Sequence, residues 1–230
     1  MKYKTRGIVF NYIKFRETSI IARIYTEKYG LKNYLINNVR STKPTYPISL
    51  FQPLTQLDMI VYNKLHAEIN RVSEIKCLYP YQSIPYDILK SAVCLFLTEI
   101  IYKILREEEP NQELFEFILN SFKNYDKTNS YNLNFHLHFL LKLTNYFGIG
   151  PMDVDDFINE IKSMGSNYRF TENDRKNFNV LLKNSFNDRV KMTNENRRTL
   201  LNLIILFYRK HFEYISEIKS YKILQEVFEK

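Results

Sequence analysis

The chain has 230 residues, a formal net charge of +8, 45% hydrophobic residues including 17 Phe and 18 Tyr, and two cysteines. That composition supplies a real core and excludes a disordered chain, while Cys77 and Cys94, outside any CxxC pair, exclude a four-cysteine zinc site. The longest apolar run, Leu203–Tyr208, falls far short of the roughly 20 residues that span a bilayer, and MKYKTRGIVFNYIKF lacks a signal-peptide core. A soluble cytoplasmic protein with no membrane association is expected, both cysteines serving as small buried hydrophobes.

From Tyr3 to about Tyr79 short runs with period-two alternation follow one another: TRGIVFNYIKF, SIIARIYT, LKNYLINNV, LTQLDMIVYN and HAEINRVSEIKCLY. Five strands in under eighty residues predict a small barrel. From Pro85 the period becomes helical, first in YDILKSAVCLFLTEIIYKILREEE, which stops before Pro110. ELFEFILNSFKNY follows, capped by Asn111, then a polar loop Asp126–Asn132, then NFHLHFLLKLTNYFG ending at Gly148. DRKNFNVLLKNSF and NRRTLLNLIILFYRKHF, the latter opened by Thr193 or Asn194, complete the pattern. The expected fold is α+β and multidomain: a five-stranded β-barrel over 1–79 and an α-helical bundle over 80–230.

Charge separates the two halves. Residues 1–79 hold thirteen Lys and Arg against five acids, whereas the rest holds twenty of each. A uniform compositional bias would act on the whole chain, so an excess confined to the first third predicts a polyanionic partner.

Within that third, RIYTEKYGLKNYLINNVRSTK reads as a hairpin turning at Gly30. A four-residue loop, Glu27–Gly30, sets Tyr25 opposite Lys32 and Arg23 opposite Tyr34. Two cations and two aromatics then share one face, the arrangement that binds single-stranded nucleic acid through phosphates and stacked bases. Tyr25 and Tyr34 are also readable as aromatics at the edge of the core. Lys2, Lys4 and Arg6 at spacing two lie on one face of the first strand, and the polar loop NNVRSTKPT adds Arg40 and Lys43.

Catalytic constellations are poor. His136 and His138 are two apart on a helix and do not share a face, so they read as structural residues. Asp153, Asp155 and Asp156 read first as acids opposing a helix dipole and second as a divalent-ion site. GIGP is a helix stop without a following GK[ST], and no GxSxG, HExxH or Walker motif occurs. No enzyme activity, cofactor or metal is expected. The last long helix has a broad apolar surface flanked by Arg197, Arg198, Arg209 and Lys210, which reads as bundle core or as a groove for an acidic-hydrophobic peptide.

The opening TRGIVFNYIKFRETSIIARIYTEKYGLKNYLINNVR, the strand FQPLTQLDMIVY, the helix end YFGIGP and the closing RRTLLNLIILFYRKHFEYISEIKSYKIL together resemble the bacterial RecO recombination mediators, in particular Bacteroidetes-like members. The resemblance implies an N-terminal OB-fold, a helical domain, and a nucleoid-associated role in DNA repair. It implies binding of single- and double-stranded DNA, annealing of complementary strands without nucleotide hydrolysis, and loading of recombinase onto strands coated by single-strand-binding protein. The partners it implies are RecR and the C-terminal tail of single-strand-binding protein. Its DNA-contacting basic residues fall on Arg6, Arg16, Arg23, Lys32 and Arg40; with Lys4, Tyr25, Tyr34 and Lys43 these form the expected DNA site. For the tail, the helix before Gly148 offers His138 and Lys142. Many members carry a four-cysteine zinc motif after the GIGP-type turn, where this chain has MDVDDFINEIKSMGSNYRF, so zinc is not expected. An OB-fold RNA-binding module, a scaffold docking an acidic protein and a metal-dependent nuclease at Asp153 are the alternatives.

Overall fold

Strand β1 (Tyr3–Phe15) pairs antiparallel with both β2 (Ser19–Thr26) and β4 (Gln56–Tyr62); β3 (Gly30–Ile36) pairs with β2, and β5 (Ile69–Tyr79) joins β4 antiparallel and β3 parallel. The sheet closes in the order β1-β2-β3-β5-β4, an OB-fold barrel as expected. This computed structural model describes residues 1–63, 67–105, 109–128, 132–183, 186, 190–212, 214, 215 and 217–228. Parts of three expected features therefore lie outside the described residues: 66 in the fifth strand, 106–108 at the end of the first helix and 129–131 in the polar loop. So do 184 and 185 of the segment DRKNFNVLLKNSF.

Alternation decides which side chains fill the barrel. Val9, Ile24, Tyr34, Leu57, Met59, Val61 and Ile75 point inward and form one buried cluster. Gly7 belongs to the same row because a Cβ there would stand 2.6 Å from Ile24 Cγ2 and 2.6 Å from the Met59 methyl carbon. A bulge between Val9 and Asn11 re-aims the second half of β1.

Among the described residues seven α-helices follow: α1 (Ile88–Ile104), α2 (Gln112–Lys127), α3 (Phe135–Leu143), α4 (Val154–Ser163), α5 (Glu172–Lys183), α6 (Asn194–His211) and α7 (Ser220–Phe228). Their ends follow the side chains that satisfy orphan backbone groups. Asn111 Oδ1 accepts from Leu114 N (2.9 Å) before α2, Asp153 accepts from Asp156 N before α4, and Thr193 accepts from Asn196 N before α6. A 3₁₀ turn over Thr144–Phe147 extends α3 to Gly148, which takes the left-handed φ of 68°.

The chain divides into two compact units, residues 1–85 with 105–126 and residues 86–104 with 127–230. Helix α2 thus belongs with the barrel. It buries Phe115, Ile118 and Phe122, and Gln56 Nε2 donates to Leu119 O at 2.9 Å. Asp126, expected in a polar loop, is instead buried in the last turn of α2. Its carboxylate accepts from the backbone N–H of Gln82 (2.8 Å), Ser83 (2.8 Å) and Ile84 (3.0 Å) and from the Tyr79 hydroxyl (3.2 Å). The second unit builds its core from α3 and α6, with the tilted rings of Phe157 and Phe178, 4.6 Å between centroids, beside them.

Candidate nucleic-acid interface

The β2–β3 connection is one residue shorter than expected. Glu27, Lys28 and Tyr29 form the turn, Gly30 takes φ 63° and pairs with Thr26, and Thr26 Oγ1 both donates to Gly30 O (2.9 Å) and accepts from Tyr29 N (3.2 Å). Because side chains alternate every residue, that one-residue difference turns β3 over relative to the expected pairing. Arg23 faces Asn33, Tyr25 faces Leu31, Ala22 faces Tyr34 and Ile24 faces Lys32. Arg23, Tyr25, Lys32 and Tyr34 therefore do not share a face.

Two of the expected DNA residues are withdrawn from any ligand. Tyr34 is 0% exposed inside the barrel, and Tyr25 is 1% exposed on its outer side beneath α2. The Tyr25 ring stacks on Phe10 (6.0 Å between centroids, 13° between planes) and meets Phe115 at 5.9 Å. Burial pushes its hydroxyl up to about 12, although the hydroxyl donates to Asn111 O at 3.3 Å. These rings are core, so the two aromatics expected on a shared ligand face do not stand on one.

Arg6 is also committed elsewhere. Its guanidinium donates to both carboxylate oxygens of Glu27 (3.0 and 2.8 Å), pairs with Glu116 of α2 and lies 5.3 Å from the centroid of Phe115. The bidentate pair holds α2 to the barrel wall and keeps the Glu27 carboxyl below the usual carboxylate range. Lys4, on the same side of β1, pairs with Asp58 at 3.1 Å on the surface. Lys32 is half-buried with the parity of the barrel interior.

Three of the remaining expected cations, Arg16, Arg40 and Lys43, come together at the opposite end, where the β1–β2 turn meets the loop after β3. Thr18 O accepts from the backbone N–H of Val39 and of Arg40 (both 2.9 Å), and Arg40 Nη1 donates to Arg16 O at 3.4 Å. Asn38 Nδ2 donates to Lys43 O at 3.3 Å, closing the loop. Arg16 and Asn38 are both held at positive φ, 51° and 59°, a cost that side-chain-bearing residues carry where neighbouring structure imposes it. Exposed Lys14, Arg16, Arg40 and Lys43 thus crown one barrel end, with Arg16 lying 5.3 Å from the Phe15 ring centroid.

From this crown an outward-facing surface runs across four strands. Asn11, Arg23, Asn33 and Ile69 form one cross-strand row, and Ile13, Ile21, Leu35 and Arg71 form the next. Ile13 is 61% exposed, and Arg23 Nε donates to Asn33 Oδ1 at 3.0 Å. Lys14, Asn33 and Arg71 were not among the expected residues. Arg71 reaches this surface through the parallel β3–β5 pairing, which local alternation does not reveal.

In the helical unit His138 is 0% exposed beside Phe186, and Lys142 Nζ lies 5.8 Å from the Phe186 ring centroid. Neither lines the cavity of about 330 Å³ between α6 and α7. That cavity is walled by His136, Arg197, Arg198, Leu201, Leu224 and Phe228, among others. His136 faces it because residues two apart on a helix point to different sides. The acids of α4 act at its N-terminus: Asp153 caps Asp156 N, Asp156 accepts from Met152 N, and Asp155 pairs with Arg175 at 2.6 Å. Among the described residues no three of His, Cys, Asp and Glu gather as a metal site. Cys77 is exposed on β5, against expectation, whereas Cys94 is buried in α1. No helix among the described residues is long and apolar enough to cross a membrane.

Comparison with known proteins agrees with this architecture. The family model "Recombination protein O N terminal" matches residues 1–81, and "Recombination protein O C terminal" matches residues 85–157. The DNA repair protein RecO of Flavobacterium psychrophilum is 32% identical over 242 residues, covering 99% of this chain and 100% of the relative. That of Bacteroides fragilis is 31% identical over 249 residues, covering 100% of both. With a basic OB-fold barrel followed by helices, both family models matched in order and relatives aligned end to end, the chain belongs to the RecO family of DNA repair proteins.

Proposed function

We propose that this chain is a non-enzymatic recombination mediator that binds single- and double-stranded DNA, anneals complementary strands and helps load recombinase onto strands coated by single-strand-binding protein. The observation that carries the reading is the crown of Lys14, Arg16, Arg40 and Lys43 continuing into the Arg23–Asn33–Arg71 surface of an OB-fold barrel. Cations spaced along such a surface follow a phosphate backbone, and exposed Ile13 with half-buried Ile21 and Leu35 supply apolar area for unstacked bases. RecR is the proposed protein partner, and the action belongs in the cytoplasm at the nucleoid.

For the coated strand, the cavity between α6 and α7 fits the acidic-hydrophobic tail of single-strand-binding protein. Leu201, Leu224 and Phe228 present apolar walls and Arg198 brings a guanidinium group for a carboxylate, while Arg197, 5% exposed, donates to Asn134, Asn194 and Met192 O and braces the wall. Burial and the neighbouring Arg197 charge lower His136 to about 3, so it meets the tail as a neutral imidazole.

The test is annealing of complementary oligonucleotides coated with the cognate single-strand-binding protein, without ATP. Acceleration by this protein is expected, lost in Arg16→Glu/Arg40→Glu. Equal rates with and without it would refute the mediator reading, and a preference for RNA over DNA of the same sequence would replace it with an RNA-binding one.

A further inference from the structure

The sequence expectation of cations mixed with aromatics fails at Tyr25 and Tyr34 but is met at a place not assigned to any partner, the barrel mouth opposite the crown. Here the start of β1, the β2–β3 turn and the end of β4 converge. Lys2 Nζ lies 5.7 Å from the centroid of the Tyr62 ring, and the rings of Tyr3 and Tyr29 meet edge to face at 6.1 Å. Tyr3 and Tyr62 are each 39% exposed, and Lys2 and Lys28 stand in solvent beside them. Thr26 Oγ1 fixes the turn by accepting from Tyr29 N, and Thr5 Oγ1 accepts from Lys28 N at 3.4 Å, so the turn is tied to β1.

We propose that this mouth is a second site for single-stranded nucleic acid, so that one chain holds two strands at once. The proposal rests on the reading of the barrel as DNA-binding and adds where the second strand sits. Three part-exposed rings offer stacking surfaces without base selectivity, and Lys2 and Lys28 flank them as phosphate ligands, the combination that single-strand binding uses. Lys4 adds charge nearby, balanced by Asp58. Tyr25 and Tyr34, by contrast, have the right chemistry but no access. The mouth and the crown lie at opposite ends of β1, eleven residues from Lys4 to Phe15, a contour of about 35 Å at the usual rise per strand residue, and the outward surface reaches the mouth where Arg71 pairs with Tyr62. Strands held at both ends of one rigid barrel meet at a raised local concentration, which supplies a route to annealing without nucleotide hydrolysis.

The experiment titrates the full-length protein at low salt with oligothymidylate of about five nucleotides, within the site size of an OB fold, carrying a photoreactive 5-iodouracil. Bound copies are counted by native mass spectrometry and crosslinks are mapped. Two copies per chain are expected, with crosslinks on Tyr3, Tyr29 or Tyr62 and a second set at the crown. Lys2→Glu/Lys28→Glu and Arg16→Glu/Arg40→Glu should each leave one copy, at opposite ends, and each should slow annealing of bare complementary strands about tenfold or more. Tyr62→Ala should weaken only the mouth, by about tenfold. One copy per wild-type chain, two copies surviving in Lys2→Glu/Lys28→Glu, or crosslinks confined to the crown would overturn the second site and leave the mediator reading standing. No binding by any form would sink both. Should a charge-reversal variant melt early, the wild-type copy number and crosslinks decide alone.

Discussion

At the scale of single residues, burial sets the behaviour of groups that a sequence presents as ordinary. His136 is enclosed between α6, α7 and its own helix, its ring 5.3 Å from that of Phe228. Burial first, and the Arg197 charge second, lower its pKa to about 3 from an ordinary value near 6.5. Between those values the unfolded chain takes up a proton that the folded chain refuses. Stability from this group is therefore complete above pH 6.5 and is lost as pH falls, with a slope approaching 1.4 kcal/mol per pH unit, about one proton's worth. His136→Leu should remove that slope; urea midpoints at pH 7 and pH 4.5 test it, and an equal acid-induced loss in both forms would show that His136 is protonated in the folded state. Asp126 is shifted in the same direction and shows the same dependence on acid. Its burial raises the carboxyl pKa, but the N–H groups of Gln82, Ile84 and Ser83 outweigh that and hold it below the usual range. Stability is then present above the unfolded carboxyl pKa and lost as pH falls through the lower folded one. Asp126→Ala leaves those donors without their acceptor and should cost about 2–3 kcal/mol, read as a shift of the denaturation midpoint. A cost below about 0.5 kcal/mol would mean that water replaces the carboxylate.

At the scale of elements, the β2–β3 hairpin separates what alternation tells from what it does not. The runs SIIARIYT and LKNYLI were legible as strands because their periods are clean, and Gly30 was legible as the turn residue because only a left-handed φ closes it cheaply. Loop length was not legible. Three turn residues followed by a paired glycine and four turn residues including it are both compatible with TEKYG, and they place Tyr34 on opposite sides of the sheet. Helix α2 repeats the lesson: the period of ELFEFILNSF announces an apolar stripe, but a period cannot say which surface the stripe meets. It meets the barrel, through Phe115 against Tyr25 and the Arg6–Glu27–Glu116 ion pairs. Phe115→Ala should consequently cost about 3–5 kcal/mol. Arg6→Ala should cost less, about 1–3 kcal/mol, because Arg6 keeps partial access to water. Thermal melting of the two variants checks the order, and a reversed order would mean that charge rather than ring burial fastens α2.

At the scale of the whole molecule, the uneven charge predicts how DNA affinity answers to salt. All of the net +8 lies in residues 1–79, and the structure divides those cations by task. Arg6 serves the fold, and Lys4 is matched by Asp58, whereas Arg16, Arg40, Lys43 and Lys14 stand together on the crown. A phosphate ligand releases roughly 0.7 counterions per contact on a single strand, so the slope of log affinity against log salt counts the contacts. Arg16→Glu/Arg40→Glu should flatten that slope by about 1.4 on single strands and weaken binding alike for every base sequence, while far-ultraviolet circular dichroism stays unchanged. Arg6→Ala should leave the slope where it was, because its guanidinium already faces two carboxylates. If Arg6→Ala flattens the slope as much as the crown variant does, the phosphates follow β1 from end to end rather than the crown, and the cation assignment made from the family resemblance is the better one.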